Sequence, residues 1–570
     1  MTTATLRLLL PEIVLIAAAV AIYMGGAFST GKRGTVPICR DGPRPTFGRC
    51  PASHKWGLSP FSRLWRWIAG GALLLAAIAL LFHPTVTAAA EPLHFDQLAR
   101  LTRWLALGFG GLLLLLSSRL CSKDTSEQVG SLLLTVAGLM LVAVAGDLVL
   151  LFVALELISI PTYVLLYLGR RDEASQESTA KYFFLSVLAS AILLYGFSFL
   201  YGAAGSTELA AIRAALDGTK SLPPGFSAFA KLAMAMIFGG LCFKIAAVPF
   251  HFYAPDVYQG TTHPNAALLS VVPKAAGFVA MTRILVVAMP GMTPHSWQIV
   301  LAVAALTMTF GNVMALWQDN LRRLLAYSSI AQAGYMLIAL AVALAAGGGA
   351  TAWEGVAAMT FYLTTYAVAT IGAFAVLEHL GRPDRSLDGV DELAGLGATR
   401  PAAAAVLAVC MFSLAGIPPM AGFWGKLLVF GGALSVVPPA GVAEGLRWWF
   451  VGAAILGALN AAVAAAYYLR IVAVMYFRTP LATPRAQGGA GAWWAAVICA
   501  LALLAIGVYP GMLMHETERV SGQPSARDID AKPQAAANQS PIPNPQSLEE
   551  GPPLQSAPGS GVAATTTEGL

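Results

Sequence analysis

The sequence predicts an all-α polytopic membrane protein with about fourteen transmembrane helices. Hydrophobic residues make up 57% of the 570 residues and charged residues only 11%, whereas a soluble globular protein carries about a quarter charged residues. Apolar runs of roughly 20 residues recur along the chain, and a helix of that length spans the hydrocarbon core of a bilayer. Much of the chain must therefore contact lipid.

These apolar runs place the individual helices. The first run begins at Leu8, follows no basic segment beyond Arg7 and precedes no small-residue cleavage site, so it is interpreted as a transmembrane helix and not as a removed signal. The predicted spans are 8–27, 67–83, 102–118, 127–145, 148–168, 179–202, 228–249, 265–287, 296–315, 321–344, 354–379, 401–436, 448–474 and 491–513.

The seventh and twelfth spans contain helix-breaking prolines. The seventh ends at Pro249, and the twelfth contains Pro418 and Pro419 directly after Gly416-Ile417. Proline lacks the backbone N–H and disfavours helix at the preceding residue, so both helices should be discontinuous. The two breaks lie about 170 residues apart. Because transporters often combine inverted repeats with broken helices, helices 4–8 and 9–13 are predicted to form two inverted five-helix repeats.

The chain is accordingly divided into five segments. The last of these is rich in Pro, Gln, Ser and Ala with almost no aromatic residues, a composition typical of disorder. The segments are 1–126 (helices 1–3 with a basic loop at 28–66), 127–290 (first repeat), 291–478 (second repeat), 479–516 (helix 14) and 517–570 (disordered polar tail).

The net charge of +6 comes from basic residues in the loops between apolar runs. That pattern is typical of topology signals at an anionic membrane face, so no nucleic-acid partner is expected. Alternate loops differ in their Lys and Arg content, with 20 on one side and 7 on the other before the tail. The positive-inside rule therefore predicts that both termini lie on the outer side.

The six cysteines do not form a metal-binding pattern. No CxxC pair occurs, so iron–sulfur or zinc ligation is not expected, and no metal site is predicted. Cys39 and Cys50 share one loop and could approach each other, although membrane-protein cysteines are mostly small packing residues.

Five ionisable residues stand out inside apolar runs: Glu156, Lys181, Lys244, Lys274 and Lys426. A charge at the centre of a membrane helix costs about 2.5–3.5 kcal/mol on insertion scales, so pairing or hydration must relieve it. Buried lysines exchange protons readily, and a nearby carboxylate favours their charged form. A row of lysines with one glutamate is therefore a suitable proton relay.

Other positions have more than one interpretation. Lys181 lies within a turn of a helix end, so its amine could extend to the membrane surface instead of joining a relay. His251 and His263 flank a predicted inner loop and could tune proton uptake, or be ordinary loop histidines.

Four segments resemble a known family. They are LELISIPTYVL (155–165), FKIAAVPFHFYAPDVYQG (243–260), NLRRLLAYSSIAQAGYMLIAL (320–340) and GIPPMAGFWGKLLVF (416–430). They are similar to the antiporter-like membrane subunits of bacterial NADH–quinone oxidoreductase, respiratory complex I, over residues 8 to 513. The version at 256–260 most resembles subunit N.

The resemblance implies proton translocation driven by quinone reduction elsewhere in the complex. Glu156 would pair with Lys244, Lys181 and Lys274 would continue the relay, and Lys426 would serve the distal half-channel. This chain would hold no cofactor, while FMN, iron–sulfur clusters, NADH and quinone would bind other subunits. Its partners would be other membrane subunits and the lipid bilayer, in the plasma membrane of a bacterium.

The residues leave two alternatives to this function. The chain could be a subunit of a multisubunit cation/proton antiporter without redox activity, because those subunits share the general pattern. An unrelated solute carrier would need polar groups shaped for an organic ligand, and the interior charges here are mostly lysines. Segment 261–266 departs from the family's usual continuation, and the basic loop 28–66 and the tail 517–570 exceed its usual form.

Overall fold

A computed structural model describes most of the membrane part of the chain. The basic loop 28–66 and the tail 517–570 lie largely outside the described residues, as do Cys39 and Cys50. The described residues are 3–30, 60–82, 88–90, 92–117, 124–170, 172–217, 224–289, 296–346, 350–381, 387–436, 445–480 and 488–521. All of them belong to the compact unit Met1–Gln523.

Thirteen of the described helices are long and apolar enough to cross a membrane, and two shorter apolar helices in succession make a fourteenth span. The expected number is confirmed. These helices are α2 (Leu10–Thr30), α3 (Pro60–Leu81), α4 (Gln97–Leu116), α5 (Thr125–Val144), α6 (Leu148–Gly169), α7 (Glu173–Ala204), α9 (Pro224–Ile245), α11 (His263–Met281), α12 (Ser296–Leu316), α13 (Leu321–Ala345), α14 (Ala350–Leu380), α16 (Pro401–Ala415) with α17 (Ala421–Leu434), α18 (Gly445–Phe477) and α19 (Ala490–Val508).

Shorter elements connect the membrane helices. They are α1 (Thr3–Leu8), α8 (Leu209–Asp217), α10 (Ala254–Gly260), α15 (Leu396–Thr399), α20 (Gly511–Glu518), 3-10 turns at Val390–Leu393 and Arg519–Ser521, and an antiparallel hairpin of β1 (Ala88–Ala90) with β2 (Leu93–Phe95). Two expectations are corrected. The last membrane helix ends at Val508 and not at 513, because Pro510 has no N–H to continue it. The predicted loop before the eighth helix contains α10.

Several membrane helices begin at an acidic or amide residue. A side-chain oxygen there accepts a hydrogen bond from one of the first backbone N–H groups, which no helical carbonyl can satisfy. Such caps are provided by Asp96 for α4, Asp147 for α6, Asp172 for α7 and Asn320 for α13. In lipid this matters because unpaired backbone groups find no water.

Three helices form the centre of the bundle. Almost every residue of α11, α13 and α14 is buried, whereas most residues of α3 and α18 face outwards. A helix that is apolar on all sides packs in the core, and the outward faces of the others suit lipid. The central helix α11 continues as a π-helix at Thr282–Ala288, a distortion that often accompanies functional sites.

Both expected helix breaks are present. After α9 ends at Ile245, Ala246 takes a positive φ of 58°, and the Val248-Pro249 peptide bond is cis. After α16 ends, Gly416 takes a φ of 84°, and the Pro418-Pro419 bond is cis. The last carbonyls of a helix have no intrahelical donor, so each break leaves acceptors inside the membrane region.

Candidate functional site

Lys244 and Glu156 form an ion pair across α9 and α6. Their Nζ and Oε1 atoms lie 3.5 Å apart, with side-chain exposures of 4% and 21%. Ser190 of α7 donates a 2.6 Å hydrogen bond to Glu156 and lies 3.4 Å from the amine, while Ser159 accepts from the amine at 2.6 Å. The Ser190 hydroxyl therefore bridges the two charges, and the Ser159 hydroxyl adds a second acceptor for the buried amine.

Lys274 lies at the middle of the central helix. It is the twelfth of 26 residues between His263 and Ala288 and is 1% exposed. Its amine donates a 2.5 Å hydrogen bond to the carbonyl of Ser329 on α13. Among the described residues no carboxylate lies within ion-pairing distance of it. A buried amine without a counter-ion is the type of group that exchanges protons.

Lys426 lies beside the second helix break. Its amine, on α17, donates to the carbonyls of Leu414 and Ala415 at 3.2 and 2.7 Å. It also lies 5.1 Å from the ring centre of Tyr335, a cation–π contact. These are the carbonyls that the end of α16 leaves unpaired. The break therefore supplies the acceptors that a buried ammonium needs.

A chain of neutral polar groups connects the surroundings of Lys274 to Lys426. Ser328, next to the carbonyl partner of Lys274, is hydrogen-bonded to the hydroxyl of Tyr468. The side-chain N–H groups of Gln332 donate to the Tyr468 hydroxyl at 3.0 Å and to the Leu414 carbonyl at 3.2 Å. The Tyr362 hydroxyl donates to the side-chain oxygen of Gln332. Lys426 donates to that same Leu414 carbonyl. The two lysines thus belong to one buried hydrogen-bonded region.

Lys181 is placed differently from the other lysines. Its side chain is 44% exposed and contacts Glu177 at 2.6 Å and Asp256 at 3.4 Å. Arg323 also contacts Asp256, at 2.9 Å. This position matches the interpretation in which the amine extends to the surface. A relay function of Lys181 stays a prediction.

The two histidines occupy different environments. His251 is half-buried after the first break, with its ring centre 4.5 Å from that of Phe310. His263 was expected in a loop, but it is the first residue of α11 and is 1% exposed. Only Thr261 and Thr262 separate α10 from α11, so His263 begins a helix and does not lie in a long loop.

Three buried charges were missed in the sequence although they lie inside predicted spans. Arg103 and Glu12 form an ion pair with a 2.7 Å contact and exposures of 2% and 1%. Arg283 contacts both carboxylate oxygens of Asp96 at 2.6 and 2.7 Å and donates to the Ala143 carbonyl. The test that selected the five candidates, a charge within an apolar run, applies equally to Glu12, Arg103 and Arg283.

The described cysteines are buried, and they are not arranged as metal ligands. Cys242, Cys410 and Cys499 are buried free cysteines. Within the ranges that the structure describes, no group of three or more His, Cys, Asp or Glu side chains is arranged to hold a metal ion.

Comparison with known proteins assigns the chain to a family. Residues 145–447 match the family described as the NADH:quinone oxidoreductase/Mrp antiporter transmembrane domain, which covers more than half of the chain. The chain belongs to this family. The expected resemblance is confirmed, and the match includes Glu156, Lys244, Lys274 and Lys426.

Individual relatives agree with the family assignment. NADH-quinone oxidoreductase subunit N of Trichlorobacter lovleyi is 40% identical over 397 residues, 69% of this chain and 77% of the relative. The subunit N of Geobacillus kaustophilus is 36% identical over 516 residues, 88% of this chain and 94% of the relative. A chain of respiratory complex I from Thermus thermophilus with bound aureothin superposes with a TM-score of 0.68 at 32% identity, covering 88% of this chain and 98% of that chain. The protein is therefore a multi-pass membrane protein with the fold of antiporter-like subunits.

Proposed function

We propose that the chain is the subunit N of a bacterial NADH–quinone oxidoreductase and translocates protons across the membrane. The observation that carries this proposal is the series of buried amines at Lys244, Lys274 and Lys426 inside the helix bundle. The subunit N relatives support the redox complex as the setting.

The proposed route begins at the Glu156–Lys244 pair. Gly277 of α11, one turn beyond Lys274, packs against Lys244, since a Cβ built there would lie 3.5 Å from the Lys244 Cβ. The helix that carries Lys244 therefore packs directly against the helix that carries Lys274. The neutral chain through Ser328 and Gln332 then leads to Lys426.

The charge on each of these lysines depends on the groups beside it and on the charge of the neighbouring lysines. Glu156 stabilises a charge on Lys244, and the carbonyls at the second break stabilise one on Lys426. Lys274 lies between them without a described carboxylate, so a charge on either neighbour disfavours a charge on it. A change in the Glu156–Lys244 pair can thereby control when Lys274 holds a proton.

Electron transfer is proposed to occur in other subunits. FMN, iron–sulfur clusters, NADH and quinone would bind there, so this chain acts as a translocase subunit without its own redox centre. Other membrane subunits would be its partners, within the plasma membrane of a bacterium. The Lys and Arg asymmetry of the loops supports termini on the outer side.

The composition of the purified complex tests this proposal. The chain, purified from its native membrane with a mild detergent, is expected to bring flavin and NADH-oxidising activity with it. Copurification with cation/proton antiporter subunits alone, without flavin, would support the alternative function and reject the redox complex.

A further inference from the structure

The surroundings of the Lys426 amine match a charged ammonium group. An ammonium offers three N–H donors and accepts nothing, whereas a neutral amine offers two donors and a lone pair that needs a donor. The carbonyls of Leu414 and Ala415 accept from the amine at 3.2 and 2.7 Å. The third electron-rich neighbour is the face of Tyr335, whose ring centre lies 5.1 Å from Nζ. Because no described group donates a hydrogen bond to this amine, the site is complementary to a cation.

No carboxylate supplies this complementarity. Lys244 has Glu156 at 3.5 Å, whereas no charged side chain in the described part of the chain lies within ion-pairing distance of Lys426. Lys426 and Tyr335 are 5% and 0% exposed, and a ring attracts a cation most strongly where water is excluded. The helices packed against α17 bring described groups without a charge to this level: Tyr335 of α13, Tyr362 of α14, the terminal carbonyls of α16, Tyr468 of α18 and the Gly507 carbonyl of α19.

The Tyr335 ring is held from three sides. Its hydroxyl accepts a 3.1 Å hydrogen bond from the side-chain amide of Asn312 on α12. The rings of Tyr362 and Phe430 meet it edge-on, with ring centres 6.3 and 6.1 Å away. Phe430 lies one helical turn after Lys426 on α17, so one helix positions both the amine and a wall of the ring site.

Asn312 takes no part in the proposed proton route, yet it is 0% exposed and fully hydrogen-bonded. Its amide nitrogen also donates to Asn460 at 3.2 Å, and its oxygen accepts from the Tyr467 hydroxyl at 3.0 Å. A buried polar network whose members are all satisfied is rigid. Asn312 therefore fixes the position of the Tyr335 hydroxyl and, through it, the angle of the ring.

We propose that Tyr335 is a positioning residue whose ring face keeps Lys426 in its protonated form, with Asn312 fixing that ring. The inference rests on the proposed proton-translocating function, because it assigns to Lys426 the task of retaining a proton between two transfer steps. Tyr335 itself neither gives nor takes a proton. An alkyl side chain in its place would leave the two carbonyls and remove the third neighbour of the ammonium group.

Variants at Tyr335 in the intact complex, reconstituted into liposomes, test the proposal. Proton translocation per NADH oxidised is measured as a function of pH. Tyr335→Leu is expected to move the alkaline limb of this profile to lower pH by about one unit, because a desolvated cation–π contact changes proton binding roughly tenfold or more. Tyr335→Phe keeps the ring face between Tyr362 and Phe430 and is expected to stay close to the wild-type profile.

Tyr467→Leu is the matched control. It removes a ring of the same size that is equally buried and bonded to the same Asn312, but that contacts no charged amine among the described groups. Only packing is lost, so the rate is expected to fall without a change in the shape of the pH profile. The same pH profile for Tyr335→Leu and Tyr467→Leu would overturn the proposal.

Lys426→Met separates the positioning role from the function itself. If Lys426→Met abolishes translocation while Tyr335→Leu keeps the wild-type pH profile, the positioning role is overturned and the proposed function stands. If Lys426→Met translocates protons at the full rate, the proposed function fails.

Ring fluorination covers a Tyr335→Leu complex that does not assemble. Phenylalanines with one, two or three ring fluorines at position 335 keep the shape of the ring and progressively weaken the negative face that attracts a cation. The pH profile is expected to move stepwise to lower pH along this series. An unchanged profile across the series would overturn the proposal.

Discussion

The amine of Lys426 donates a 2.7 Å hydrogen bond to the carbonyl of Ala415, the last residue of the helix before the second break. In a continuous helix that carbonyl would be bonded to a backbone N–H four residues later. The interruption therefore creates an acceptor for a buried cation. The partial negative charge at the C-terminus of α16 further stabilises that cation.

The backbone at Gly416 keeps this acceptor beside Lys426. Its φ of 84° disfavours any side chain, and a Cβ there would lie 2.8 Å from the Lys426 Cδ. We expect Gly416→Ala to cost about 1–2 kcal/mol in backbone strain and to displace the amine, which lowers proton translocation. Gly431→Ala is the control, because nothing lies within 4 Å of a Cβ built at that residue of the same broken span. Equal translocation by both variants would contradict the role of the break.

Removal of the central amine should uncouple the subunit. Lys274→Met keeps the length of the side chain and removes the exchangeable proton, so translocation is expected to fall roughly 100-fold. The complex should still assemble, which native gel electrophoresis and NADH oxidation with an artificial acceptor would show. Lys181→Met serves as a comparison with an exposed lysine.

The Glu156–Lys244 pair should behave as one unit. We expect Glu156→Gln and Lys244→Met each to reduce coupled quinone reduction, and the double variant to lose much less than the product of both. The coupling energy should fall at about 0.5–3 kcal/mol, as for contacting residues in one network. Strictly additive effects in a double-mutant cycle would mean that the 3.5 Å contact does not operate in the complex.

The neutral connection should matter although it carries no charge. Gln332→Leu leaves the Tyr362 hydroxyl without its amide partner, at about 1–3 kcal/mol for one unsatisfied group, whereas the Tyr468 hydroxyl keeps its bond to Ser328. Transfer from Lys274 to Lys426 is expected to slow roughly tenfold. Gln318→Leu is the matched control, because its side-chain amide, just beyond the end of α12, bonds only the Met314 carbonyl of that helix among the described groups. Wild-type rates for Gln332→Leu would exclude this connection.

The Asp96–Arg283 pair should stabilise the protein at neutral pH. Burial alone would raise the pKa of the Asp96 carboxyl, but the Arg283 guanidinium beside it holds that pKa well below its usual value. A lowered pKa gives stabilisation that is complete above about pH 4 and is lost only as the pH falls further.

Asp96→Asn isolates that charge, because asparagine still caps α4. We expect a loss of about 3–5 kcal/mol at pH 8 in thermal unfolding of the complex. Asp147→Asn, at a cap that has no described arginine partner, should change stability by less than about 1 kcal/mol. A loss for Asp96→Asn as small as that for Asp147→Asn would contradict this assignment.

Sequence reasoning identified charges inside the predicted spans but not the polar groups that surround them. The positions of Glu156, Lys244 and Lys426 relative to the breaks follow from local chemistry, and the structure brings the first two together. Gln332 and Tyr468 gave no signal, because neutral polar residues are common in membrane helices.

The sequence by itself determined the number of helices, the two interruptions and the lysines within them. Those properties depend on hydrophobic length and on the missing N–H of proline, which act within a few residues. Only the tertiary structure decided that Lys181 reaches the surface, that His263 is buried and that Arg283 meets Asp96 187 residues away. Such contacts depend on which helix faces face each other, and that is settled by the packing of the whole bundle.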